Sequence, residues 1–369
     1  MIPQANPGAS YRGLKHEIDR AVARVLESGW YILGSEGRAF EAEFAAWLGS
    51  AHAVGCANGT DALCLALRAL GIGPGMAVAT VSHTAVATVA AIAMVGATPV
   101  LIDIDPVHFT IDPVELANVL AHPPAGLPPI RAVVAVHLYG QAVDLDAILP
   151  LCAQFGVPLI EDCAQAHGAT WQGQKVGSFG AIGTFSLYPT KNLGALGDGG
   201  VVVTADPALA ASLGALRQYG WRQHYISDSA GVNSRLDELQ AAILRVKLGH
   251  LDAHNAARQA IAGAYDTALP AHIAPPARRP GAGHVFHQYV VRVQNRSAVQ
   301  AKLRDAGIGS GVHYPMPVHA QPAYRGRIAL GPAGCRASEI AAAEVLSLPM
   351  YPELTEAEIA HICVGLRAL

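Results

Sequence analysis

Apolar and polar positions change rhythm along this chain in a way that repeats. From residue 53 to residue 161, short apolar runs alternate with stretches whose apolar positions recur at helical spacing. The pattern predicts strands at 53–57, 78–82, 100–104, 131–137 and 158–161, with helices at 62–70, 85–95, 112–121 and 144–155 between them. Strands joined through single helices require right-handed crossovers. They form a mostly parallel sheet covered on both faces, with ligands beyond the carboxyl ends of the strands. Before this region, Leu14, Ile18, Val22 and Val25 predict a helix over 11–28 that stops at Gly29. Ser35 is the expected cap of a second helix to residue 48, with Phe40, Phe44 and Trp47 on one face.

After it, the apolar run 181–187 and the run Val201-Val202-Val203 read as strands around a glycine-dense loop, and Asp206 is placed to cap a helix to 217. An irregular polar stretch, 218–233, precedes helical patterns at 236–248 and 252–269, and a Pro/Gly-rich run, 270–283, reads as a connection. A strand at 288–293, a helix at 297–306, an extended stretch through His313 and two terminal helices complete a smaller α+β unit. The expected fold class is α/β, with a mostly parallel central sheet. Residues 1–248 are expected to form a large domain and residues 249–369 a small one.

Composition narrows the function. The chain has 369 residues, 51% of them hydrophobic and 14% charged, with a net charge of -3. That allows a large core and argues against nucleic acid or a polybasic membrane contact as partner. The uncharged stretch 77–102 is long enough to span a bilayer, yet it contains Ser82, His83, four threonines and Pro99, so it is read as strand, helix and strand. No signal peptide is evident. Six cysteines without a C-x-x-C pair indicate reduced thiols and a cytoplasmic location, and the 16 histidines are read as forming no H-x-x-x-H pair on a helix and no metal site.

Three places carry candidate chemistry. Lys191 is the only amine between Phe185 and Gly200, a setting in which burial lowers a lysine pKa and frees its lone pair for a Schiff base; a solvated loop lysine is the alternative. Asn58-Gly59-Thr60-Asp61, between a strand and a helix start, presents free N–H groups and a hydroxyl to an anion, for which phosphate is the expected ligand; a plain cap by Thr60 or Asp61 would look the same. Asp162 follows an apolar strand and needs a cation, either an arginine or a protonated ring nitrogen. Ser186 offers a hydroxyl at the end of the next strand. An anion cradle, a strand-end acid and a loop amine in this order match the needs of pyridoxal 5'-phosphate.

The strings Ala57-Asn58-Gly59-Thr60-Asp61-Ala62-Leu63, Val136-His137-Leu138-Tyr139-Gly140-Gln141, Glu161-Asp162-Cys163-Ala164-Gln165-Ala166-His167-Gly168-Ala169, Tyr188-Pro189-Thr190-Lys191-Asn192-Leu193-Gly194-Ala195, Gly197-Asp198-Gly199-Gly200 and Asn233-Ser234-Arg235-Leu236-Asp237-Glu238 closely resemble the DegT/StrS-type nucleotide-sugar aminotransferases. The resemblance runs from about Trp30 to Pro317 and implies a homodimeric, fold-type I enzyme using pyridoxal 5'-phosphate. It implies that Lys191 is the Schiff-base lysine and proton carrier, that Asp162 pairs with the ring nitrogen and Gln165 with the ring hydroxyl, and that Gly59, Thr60 and Ser186 hold the phosphate with Asn233 of the partner subunit. Tyr188, His313 and Tyr314 would line the sugar-nucleotide side. The chain departs from the family at Ala85, where an aromatic is common, which leaves His83 as the expected ring-stacking residue. Thr190 and Ala181 replace a common glycine and a frequent aspartate.

The reaction implied is amine transfer from glutamate to a nucleotide-linked keto-sugar, most like amination of C3 in dTDP-3-keto-6-deoxyhexoses. C4 amination of a UDP-, GDP- or dTDP-4-keto-sugar is the alternative, and a non-catalytic cofactor-binding regulator a further one. The related dehydratases carry a histidine where this chain has Lys191.

Overall fold

The computed structural model describes all 369 residues. In chain order the elements are α1 (Pro7–Gly13), α2 (Lys15–Ser28), α3 (Ser35–Leu48), β1 (His52–Cys56), α4 (Gly59–Ala69), β2 (Ala77–Val81), α5 (Val86–Met94), β3 (Thr98–Ile102), α6 (Pro113–Ala121), β4 (Ile130–Val136), α7 (Leu145–Gln154) and β5 (Leu159–Asp162). They continue with β6 (Thr170–Trp171), β7 (Gln174–Lys175), β8 (Ile182–Ser186), β9 (Gly200–Thr204), α8 (Pro207–Leu216), β10 (Trp221–Gln223), β11 (Ile226–Ser227) and α9 (Glu238–Ala268). The last are β12 (Ala282–Gly283), β13 (Tyr289–Arg292), α10 (Arg296–Asp305), β14 (Ala329–Leu330), α11 (Arg336–Glu344), β15 (Val345–Leu348) and α12 (Glu356–Arg367).

The predicted alternation is present, and it builds an eight-stranded sheet in the order β1-β9-β8-β5-β4-β2-β3-β14. Every pairing from β8 to β14 is parallel, whereas β9 runs antiparallel to both of its neighbours. The fold is therefore fold-type I α/β, with one reversed strand beside β8. That reversal places the β8–β9 loop, with Lys191 in it, at the same sheet edge as the carboxyl end of β5. Helices cover both faces, and one apolar cluster lies on each side. Val133, Ala135 and Leu159 point to one, Ala132, Val134 and Ile160 to the other, as the two-residue period of a strand requires.

Three local expectations differ from the structure. The helix expected over 11–28 is two helices broken at Leu14. The start of α3 is not capped by Ser35. Gly34 is its N-cap residue, and the Glu238 carboxylate accepts the N–H groups of Gly34, Glu36 and Gly37, each at 2.8 Å. The two helices expected on either side of residue 249 are one continuous helix, α9. Gly249 is exposed and a Cβ there would touch nothing within 4 Å. Its helix cost of about 1 kcal/mol is outweighed by burial of Leu248 and Leu251 in the large core. The division expected at 248/249 thus falls inside α9, which continues into the smaller cluster through Ile261 and Tyr265.

All six cysteines are buried and unpaired. No helix is long and apolar enough to cross a membrane.

Candidate active site

Strand β1 leads into α4 through Asn58, whose side chain accepts the Asp61 N–H at 2.8 Å. The cap is thus Asn58 rather than Thr60 or Asp61, and Thr60 keeps its hydroxyl free at the positive end of the helix. Gly59 is required here: a Cβ on it would lie 2.5 Å from the Ser186 Cβ. Gly200 is required for the same reason, because its Cβ would lie 2.3 Å from the Asn58 carbonyl oxygen. Two glycines let the carboxyl end of β8 close on the start of α4. Ser186 Oγ meets only the Tyr188 N–H, at 3.4 Å, so its O–H is left to donate. Ser234 locks the turn from below, accepting from the Ala57 N–H at 3.0 Å and donating to Asp61 at 2.6 Å. Amide groups, two hydroxyls and a helix dipole converge there, and they suit a phosphate.

Asp162 ends β5 and is 4% exposed. Thr88 Oγ1 donates to its Oδ2 at 2.8 Å and the Ala164 N–H to its Oδ1 at 3.1 Å, which fixes the plane of the carboxylate. Burial pushes its pKa up, against the pull of these two bonds and of the Lys191 amine. Lys191 lies across the same cleft. Its stem leaves the residue half-buried, but the amine end is enclosed. Burial brings its pKa down to about 8, with Asp162 opposing. An amine of this kind is available in part as a nucleophile just above neutrality, where an ordinary lysine is almost wholly protonated. The cleft has a volume of about 540 Å³, and its walls include Gly59, Thr60, Asp162, Ser186, Tyr188 and Lys191.

The remaining predicted residues fall into two groups. Gln165 and His83 lie in a buried hydrogen-bonded wall that does not line this cleft. Gln165 accepts the Tyr139 N–H at 2.8 Å and donates to the Tyr314 hydroxyl at 3.0 Å. Tyr139 donates its hydroxyl proton to the His313 carbonyl, so the bond at 2.7 Å from His83 Nε2 must carry the histidine's proton. His83 Nδ1 is left without a partner, and burial lowers the ring's pKa to about 4. Ala85, not His83, lines the cleft. His313 bonds Ser347 at 2.8 Å, and burial raises the Tyr314 pKa to about 12. Asn233 is exposed at the base of the β10–β11 hairpin, away from the cleft of its own chain. Thr88 escaped the sequence reading, and Tyr139 and Ser234 carry no role in it, because each acts through a partner more than fifty residues away.

Two histidine groups need separate mention. His250 and His254 do stand four apart on α9, contrary to the expectation, with rings stacked at 6.0 Å; His250 contacts Glu17 at 3.2 Å. His137, Glu161 and Cys163 form a buried cluster. There the Glu161 carboxylate accepts N–H bonds from Gly177, Phe179 and Gly180, and His137 Nδ1 accepts from Val143, so its Nε2–H donates to Glu161 at 3.1 Å. That carboxylate is fully used in holding the segment before β8.

Residues 13–367 match the DegT/DnrJ/EryC1/StrS aminotransferase family, which extends the recognisable region beyond 30–317 at both ends. The chain is 44% identical to the dTDP-3-amino-3,4,6-trideoxy-alpha-D-glucose transaminase of Streptomyces venezuelae, over 99% of this chain and 95% of that one. It is 45% identical to the UDP-N-acetyl-3-dehydro-alpha-D-glucosamine 3-aminotransferase of Acidithiobacillus ferrooxidans, over 99% and 97%. A 46% identical protein of Saccharopolyspora erythraea, matched over 100% and 99%, bears the name erythromycin biosynthesis sensory transduction protein EryC1. The crystal structure of S. venezuelae DesV in complex with a ketimine intermediate superposes with a TM-score of 0.94 at 44% identity, covering 100% of this chain and 98% of that one. The cleft's amine, acid and phosphate cradle agree with what that likeness requires. This chain belongs to the DegT/DnrJ/EryC1/StrS family and is a sugar-nucleotide aminotransferase that uses pyridoxal 5'-phosphate.

Proposed function

We propose that this enzyme transfers the amino group of glutamate to C3 of a dTDP-linked 3-keto-6-deoxyhexose, giving the dTDP-3-amino-3,6-dideoxyhexose. The observation that carries the chemistry is the placement of the Lys191 amine, the Asp162 carboxylate and the Gly59–Thr60–Ser186 cradle on one cleft. Bound there, the cofactor supplies an aldehyde that links to amines and a ring that delocalises the electron pair left when the neighbouring carbon loses its proton.

The chain's own residues supply the rest. Gly59, Thr60 and Ser186 hold the phosphate and so fix the ring's distance from β8. Asp162, oriented by Thr88 and Ala164, faces a cationic ring nitrogen and keeps it protonated. Such a cation would draw the Asp162 pKa back down, which removes the cost of burying its charge. Lys191 Nζ would take the proton from the donor's Cα and return it to the carbon on the other side of the transferred nitrogen, and would run the same two steps in reverse on the sugar. Its lowered pKa suits both directions. Gln165, held between Tyr139 and Tyr314, is proposed to reach the ring hydroxyl, and Tyr188, His313 and Tyr314 to meet the sugar nucleotide. In this reading Asn233 completes the phosphate site of the partner subunit in a homodimer. The exposed Tyr225 and Ile226 of the hairpin, and Trp30 and Tyr31, are the apolar surface such a dimer would cover.

C3 is favoured over C4 because relatives with dTDP- and with UDP-sugars in their names both carry the amine at C3. The test is a panel of dTDP-, UDP- and GDP-linked 3-keto and 4-keto sugars, incubated with glutamate and scored for aminated product. The proposal expects the dTDP-3-keto-6-deoxyhexose to give the highest kcat/KM. A 4-keto sugar ranking first would replace it with the C4 reading.

A further inference from the structure

The Lys191 loop is gripped from one side by a single helix. On α9, Gln240, Lys247 and Asn255 follow one another at spacings of seven and eight, about two turns each, so they share a face. Gln240 Oε1 accepts the Leu196 N–H at 2.9 Å, Lys247 Nζ donates to the Gly194 carbonyl at 2.7 Å, and Asn255 Oδ1 accepts from the Asn192 side-chain amide at 2.8 Å. Every second residue after Lys191 is therefore met in turn, in antiparallel order. The loop is folded tightly enough for this to matter: a Cβ on Gly194 would lie 2.4 Å from the Pro189 carbonyl oxygen. Asn255 also donates to the His167 carbonyl at 2.8 Å, tying the same point to the segment that follows Asp162.

We propose that Gln240, Lys247 and Asn255 are positioning residues: α9 is the rack that sets where the Lys191 amine stands relative to Asp162. The inference rests on Lys191 being the reacting amine.

Two further observations support it. Lys247 and Asn255 are buried, at 5% and 6% exposure, so their bonds are shielded from water. Lys247 spends its burial on one carbonyl rather than on an ion pair; the acid facing it, Glu353, forms no salt bridge with it, and the other charged or titratable groups lining the same cavity are Lys191, His254, Arg258 and Tyr351. Burial lowers the Lys247 pKa to about 8, and the bond to the Gly194 carbonyl offsets part of the cost of enclosing its head. Beyond Asn255 the same helix grips the small unit, with Arg258 donating to the carbonyls of Phe286 and Met350 and Gln259 to that of His284. One helix thus joins the lysine loop to the small unit.

The test uses the full-length, cofactor-loaded protein in two readouts. The first is the midpoint of the pH titration of its visible absorption, which reports the surroundings of the Lys191 nitrogen. The second is amide hydrogen exchange of a peptide covering 188–196. Lys247→Met and Asn255→Ala are expected to move the midpoint by roughly half a pH unit or more, and to speed exchange in that peptide about tenfold. Lys247→Arg, which keeps a donor, is expected to restore both. Wild-type values for both readouts in the folded Met and Ala variants would overturn the inference. Should either variant fail to fold, Gln240→Ala removes the most exposed rung and must still speed exchange at Leu196, or the inference falls. Failure of the underlying reading would look different: Lys191→Ala would keep the wild-type absorption while the exchange result stood.

Discussion

Two connections in this chain stand out in composition, the first for its glycines and the second for its aromatic residues, and only the first is held along its length. The loop between β8 and β9 is tied to α9 at Asn192, Gly194 and Leu196 and carries an enclosed amine. The stretch between α8 and α9 forms the β10–β11 hairpin, whose aromatic contacts are local: Trp221 and Tyr225 lie 5.1 Å apart and Tyr225 is 75% exposed. What separates them is where the partners come from. The first loop finds them within its own chain, so its geometry is fixed before any ligand arrives. The second leaves apolar area facing outward, as a segment does when another surface is meant to cover it.

Substitutions can break or sharpen this contrast. The largest effect is expected at the centre of the held loop: Lys191→Ala should lower amine transfer by on the order of 10⁴-fold, measured as product formation with excess cofactor and donor. Asp162→Asn keeps the shape and removes the charge, and should cost on the order of 10²-fold in kcat with little change in thermal midpoint. Glu238→Ala strips the buried N–H groups of Gly34, Glu36 and Gly37 of their acceptor at the start of α9. It should lower the unfolding free energy by roughly 2–4 kcal/mol in chemical denaturation.

The held amine also has a pH signature. Its folded pKa, about 8, lies below the ordinary 10.5, so the unfolded chain binds the extra proton between these values and stability rises with pH across that window. Lys191→Met removes this term. The variant should gain stability over wild type below pH 8, by on the order of 1–3 kcal/mol, and the gain should shrink as pH rises toward 10.5. The smallest effect on the single chain is expected in the hairpin. Tyr225→Ser should change its unfolding free energy by no more than about 0.5 kcal/mol, while sedimentation should show weaker self-association if the hairpin is covered in the proposed dimer.

The sequence disclosed the parts of this design that depend on neighbours along the chain. Strand–helix alternation placed every strand from β1 to β5 within two residues, because a period-two run flanked by turns is a local signal. The order of Gly59, Asp162 and Lys191 pointed to one ligand, and the structure puts all three on one cleft. What could not be read depends on residues far apart. Glu238 caps a helix two hundred residues earlier, so Ser35 looked sufficient by itself. The patterns at 236–248 and 252–269 looked separate because the exposure of Gly249, which makes it tolerable between them, is a property of the packed helix. Ala85 signals that no aromatic stands at that point, but the bond from His83 to Tyr139 joins residues too far apart in the chain to be read from it.

The measurement that bears most directly on the account is the first half of the reaction, followed by absorption. Cofactor-loaded wild-type protein should be yellow, and excess L-glutamate should bleach it with release of one equivalent of 2-oxoglutarate per site. Lys191→Ala should lack the wild-type band and release no 2-oxoglutarate on the same timescale. A wild-type protein that binds the cofactor yet neither bleaches nor releases the keto acid, or a Lys191→Ala variant that does both at the wild-type rate, would contradict the central claim that this amine carries the transfer.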